Sequence, residues 1–278
     1  MKKLRRRYYR DHKYVIDMLI DCQQTISRTN FRDHEQTQTA INMFTNIVAL
    51  VECHAEHEHK SILELLRKKG SNVEKKIEED HAKQHQLFIK LIADLDKLQF
   101  SKVAEDRLIM GYQFYLNYMR FFGDSLKHMH AEETVIMPEL QRLYTDAELA
   151  AIEINTYSIM TPQEMLHMIK ALFPHIDAND REAFVADINH AEPAKLQKIW
   201  KSISNLISAE ESDYLINKYN ITISDELLIE DKEIYYAWEQ KPNTDAELVL
   251  TQHQRDNNDY KNTLEEIFKD SKVAQVNH

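Results

Sequence analysis

Histidines and carboxylates recur at four places in the first half of the chain: His12; His54 with Glu58; His81 with His85; and His128 with Glu132. Three of these places repeat one interval, in HAEHE at 54–58, HAKQH at 81–85 and HMHAE at 128–132. Residues i and i+4 share one face of an α-helix, about one turn apart. Imidazole with carboxylate suits iron, zinc, manganese or copper. The lack of cysteine in the set disfavours a thiolate zinc site or an iron–sulfur cluster. Five histidines and two carboxylates are too many for one ion. Two six-coordinate ions sharing both carboxylates would use them well. No nucleophile–base arrangement or phosphate loop offers a separate active site.

The elements that must position this set read as helices. The chain has 278 residues, with only three glycines and five prolines. Long breaker-free stretches therefore favour helix throughout, and no alternating pattern suggests a sheet. A first helix is expected over about 8–29, with His12 on its apolar stripe. A second is expected over 33–69, ending at Gly70, with Ile47, Leu50, His54, Glu58, Ile62 and Leu65 on one face. A third should start after Ser71, with Glu74 placed for a capping box and His81 and His85 on its stripe. A fourth should run from about 104 towards 144. It carries Phe121, Ser125, His128 and Glu132, its first turns overhang or break near Gly111, and it kinks or ends at Pro138. At about 1.5 Å per residue, antiparallel neighbours bring His12, His54 and the pair His81 and His85 to one level, while His128 on the fourth helix matches His85 less well. The expectation is an all-α chain with an up-down-up-down four-helix bundle over 1–145 and a smaller helical region over 146–278.

The second half shows start signals for shorter helices: Thr145 with Glu148, Thr161 with Glu164 before Pro162, Asp177 or Asn179, Pro193, and Ser208 with Glu211. A further helix is expected from NTDAE at 243–247 to Phe268. This region would serve as a lid, a homodimer surface or a protein-partner site. The net charge of −11 argues against a nucleic-acid partner. No apolar run approaches the roughly 20 residues that span a bilayer, and MKKLRRRYYR lacks the apolar segment of a secretory signal. Cys22 and Cys53 give no disulfide framework and read as buried thiols. A cytoplasmic protein with no membrane partner is expected.

Asp11-His12, HAEHE at 54–58, EEDHAKQH at 78–85 and HMHAEETVIMPEL at 128–140 resemble the hemerythrin family, more closely its HHE cation-binding branch. In that branch HxxxEE before a short apolar run and proline is typical. The resemblance covers about 1–145. It implies a non-haem centre of two iron ions, with His81, His85 and His128 on one and His12 and His54 on the other. Glu58 and Glu132 would bridge them. Glu132 is preferred to Glu133 because its spacing repeats that of Glu58. Many members of the branch have one histidine on the third helix, so either His81 or His85 could support the centre from behind. The resemblance implies binding of a small gaseous ligand, dioxygen or nitric oxide, for sensing, storage or delivery, and leaves catalysis open. Iron homeostasis is the alternative, or an oxidase, peroxidase or repair enzyme.

Overall fold

The computed structural model describes residues 7–223. The helix expected near 243–268 lies outside the described residues, as do the side chains of Tyr8, Cys53 and His57. Every element among the described residues is helical. No described helix is long and apolar enough to cross a membrane.

Helices α1 (Arg7–Arg28) and α2 (His34–Glu58) form a first hairpin. A π-helical turn (His59–Leu63) and the short α3 (Glu64–Lys68) continue α2. Helices α4 (Glu74–Phe100) and α5 (Ala104–Ala131) form a second hairpin, continued by another π-helical turn (Glu132–Ile136) and α6 (Met137–Leu143). α1 packs on α2 and α5, and α4 packs on α5 and α2. The four long helices thus close a ring of neighbours.

The apolar spacing explains the ring. Val15, Leu19, Cys22 and Ile26 follow one another by three or four residues on α1 and are buried, as are Phe88, Leu91, Leu95 and Leu98 on α4. Each such side chain contributes about 1.5–3 kcal/mol when fully buried. Phe44 of α2 sits at the centre, edge-on to Phe114 at 5.3 Å and to Tyr118 at 5.9 Å. At the far end the buried Arg107 donates to the carbonyls of Phe31, Arg32 and Ser101, tying the two hairpin turns together.

Four local expectations change. The predicted second helix is interrupted by its π turn directly after Glu58. α5 runs unbroken through Gly111, because a Cβ there would lie 2.1 Å from the Phe31 ring and only glycine admits that contact. Pro138 does not end the helix at all. The N–H of Met137 bonds back to the Glu132 carbonyl in the wide π turn, so the residue without an N–H falls at the start of α6. The capping box at Glu74 does not form, since Ser71 donates to Glu139 of α6 instead. Gly70 terminates α3 at φ +69°, as its position predicts.

The later helices are α7 (Asp146–Ile159), α8 (Pro162–Leu172), α9 (Ala178–Ala191), α10 (Pro193–Ile203) and α11 (Ala209–Tyr219). Thr145 and Thr161 form the expected capping boxes, and Asp177 and Ser208 cap α9 and α11. Trp200, fully buried, anchors α10 between α8 and α9. Their apolar residues join those of α1, α2, α4 and α5 in one continuous core. Ion pairs reinforce the seam with α1: Arg10 with Asp187 at 3.3 Å, and Lys13 with Asp177 at 2.5 Å and Asp180 at 2.7 Å.

Candidate metal centre

Six of the seven residues singled out in the sequence converge inside the ring. His12, His54, Glu58 and Glu132 bring one ligand atom each within 4.8 Å of one another, and so do Glu58, His81, His128 and Glu132. The two groups share both carboxylates. Oε1 of Glu58 lies 3.0 Å from Nε2 of His54, while its Oε2 lies 3.3 Å from Nε2 of His81. Oε2 of Glu132 lies 3.3 Å from Nε2 of His12, while its Oε1 lies 3.2 Å from Nε2 of His128. Each carboxylate therefore turns one oxygen to each pair of histidines.

Local helix geometry produces this arrangement. His54 and Glu58 stand one turn apart on α2, directly before a π turn, and His128 of α5 stands one turn before Glu132, which opens the other π turn. π turns are rare and frequent at functional sites. Beyond them Ile62, Leu66, Ile136 and Leu140 are buried together in a separate apolar cluster, with Ile77 of α4. The pattern HxxxExxxIxxxL occurs twice, beginning at His54 and at His128. The two hairpins thus repeat one solution, with His12 of α1 matched by His81 of α4. The repeat is readable in the sequence, though the i+4 motifs alone conceal it.

The electrostatics suit a cation. Both oxygens of Glu58, Oε2 of Glu132 and Nε2 of His54 are buried without a hydrogen bond. Nε2 of His54 and Oε1 of Glu58 are close enough to bond, yet the pair lacks hydrogen-bond geometry. Leaving an ionised carboxylate in that condition is costly by several kcal/mol unless a positive charge answers it. Burial raises the Glu58 pKa, but His54, His12 and His81 outweigh it and hold the carboxyl well below its usual range. Burial likewise opposes charge on His12, and Glu132, Glu133 and Glu58 override it, pushing its pKa up to about 11. His54 moves the same way against burial through Glu58. The donor set fits a metal in its spacing too. With bonds of about 2.1 Å, two ligand atoms at a right angle stand about 3.0 Å apart. The Nε2 atoms of His81 and His128 are 2.9 Å apart.

Two residues sit differently from expectation. His85 falls outside both groups, half-buried one turn along α4, where burial lowers its imidazole pKa. The histidines therefore divide two and two. Glu133, expected to point away from the stripe, reaches Nδ1 of His12 at 2.9 Å, a role that residue spacing did not reveal. His59 and His130 are exposed, as their off-stripe positions predict. Beside the centre Ser125 is buried and donates to the Phe121 carbonyl, while Phe88 and Phe121 meet edge-on at 4.7 Å. Tyr118 is fully buried and donates to the Leu19 carbonyl, consistent with a core aromatic.

No family model matches the chain, and no curated protein or solved structure matches it.

Proposed function

We propose that the chain is a hemerythrin-like protein, a four-helix bundle that holds two non-haem iron ions and reversibly binds dioxygen or nitric oxide for sensing, storage or delivery. The observation that carries this reading is the division of the two buried carboxylates, each with one oxygen on either side. His12 and His54 would hold one ion and His81 and His128 the other, with Glu58 and Glu132 shared. Bound iron would supply a redox-active centre with coordination positions that protein donors leave free.

The chain's own residues do the rest. Glu133 accepts from Nδ1 of His12 and so keeps Nε2 turned to the centre. The recess beside the histidines has a volume of about 20 Å³. A space of that order suits a small ligand of a few atoms. Leu19, Val51 and Met129 give it apolar walls, and Phe88 and Phe121 are buried in the adjoining core.

Stopped-flow absorbance tests the reading. Iron-loaded protein is reduced and mixed with dioxygen or nitric oxide, and the oxidised form is mixed with azide. Saturable, reversible spectral changes are expected. A di-iron protein whose spectrum ignores all three would point to iron storage instead.

A further inference from the structure

A surface groove of about 320 Å³ lies between α4 and α5, with Lys76, Lys83 and Lys127 around it beside Asp80 and Asp124. The small recess of the metal centre adjoins it. Only two residues line both spaces, Gln84 and His128. His128 is committed to the centre through Glu132 and His81. Gln84 is not committed: it is 9 % exposed, and no hydrogen bond among the described residues holds its carboxamide. Neither amide atom is sealed from solvent, so the carboxamide meets the groove and is free to turn toward a polar group in the recess. It also has the rotatable bonds to swing, whereas Val15, Leu19 and Met129 on the other walls are packed in the core.

The groove has three lysines against two aspartates, in a chain of net charge −11. Lys83 and Lys127 are held near Asp80 at 3.3 Å and Asp124 at 3.7 Å. The mouth is therefore locally cationic on an acidic protein, which favours the arrival of small neutral or singly anionic molecules over cations.

We propose that Gln84 is the gate of the centre and its ligand-contacting hydrogen-bond donor. Ligands of two or three atoms enter through the α4–α5 groove, pass when the Gln84 side chain swings aside, and are then held by its amide N–H. This rests on the metal-centre reading above and adds a route and a polar contact to it.

Azide is the probe, with iron-loaded, oxidised wild-type protein compared with Gln84→Leu and Gln84→Ala. Iron content and the helical circular dichroism of each are recorded first and should match wild type. Leucine keeps the bulk and removes the amide. Azide should leave that variant about tenfold faster, as expected for one lost hydrogen bond, with its stretching frequency shifted and its association rate little changed. Alanine removes the bulk as well and should speed association by about tenfold. Fully iron-loaded variants with both rates and the infrared band of wild type would overturn the Gln84 proposal alone. Variants that lose iron would overturn it too, by placing Gln84 in support of the ligands. Iron-loaded wild type that takes up no azide would defeat the ligand-binding reading itself, and the gate with it.

Discussion

Glu133 accepts a hydrogen bond from Nδ1 of His12 at 2.9 Å, and that contact decides which imidazole nitrogen faces the shared carboxylates. The neighbouring Glu132 meets the same ring from the other side, at Nε2. Two consecutive glutamates thus act on one histidine in different ways. The wide π turn at Glu132–Ile136 is where both are presented.

The first prediction follows from this division. Glu58→Ala and Glu132→Ala should each abolish stoichiometric metal binding, because each removes an oxygen from both groups. Glu133→Ala should keep the metals but weaken them about 10–100-fold, the usual effect of losing a group that orients a ligand. Competition with a chelator measures the order. Equal loss in Glu133→Ala would make that residue a ligand.

The two histidines of α4 should separate. His81→Ala removes a member of the second group and should lose metal. His85→Ala should retain it, since His85 lies in neither group. Metal content of the two purified variants decides this, and loss of metal from both alike would restore the three-and-two division of histidines.

Lys13 joins α1 to α9, and its variant should loosen that seam. Asp180 is buried and meets Lys13 at 2.7 Å. Lys13→Met leaves that carboxylate without its cation, at a cost of about 1–3 kcal/mol in thermal or denaturant unfolding. The pair also sets an acid limit. The Lys13 ammonium holds the Asp177 carboxyl well below its usual range. A depressed native pKa contributes stability above the unfolded value of about 3.9, and that stability is lost as pH falls through the native value. Wild type should therefore lose stability more steeply than Lys13→Met below about pH 4. Parallel curves would remove the ion pair from the account.

A chain ending at Tyr144 retains all six grouped residues and should still bind metal. It should also be less stable and expose apolar surface to a dye such as ANS, because the core of α8–α10 is continuous with that of α1. A helical but metal-free fragment would show that the second half is needed to hold His12 in place.

Much of this was legible from spacing. The i+4 motifs place His54 with Glu58 and His128 with Glu132, and level-matching brings His12 and the third-helix pair beside them without choosing His81 over His85. Capping pairs such as Thr161 with Glu164 locate the later helices because their signal is local. The π turns were not legible, since they depend on how two hairpins meet around the centre rather than on any residue type. The Glu133 contact was hidden for the same reason: an ideal helix turns residue i+5 away, and the π turn brings it back. Gln84 carries no motif, and only the two spaces on either side of it single it out.

Elemental analysis of the purified full-length protein, expressed in iron-replete medium, tests the central claim most directly. The account predicts close to two irons per chain, falling together in Glu58→Ala and in Glu132→Ala. One zinc and no iron, or two irons that survive loss of either carboxylate, would contradict it.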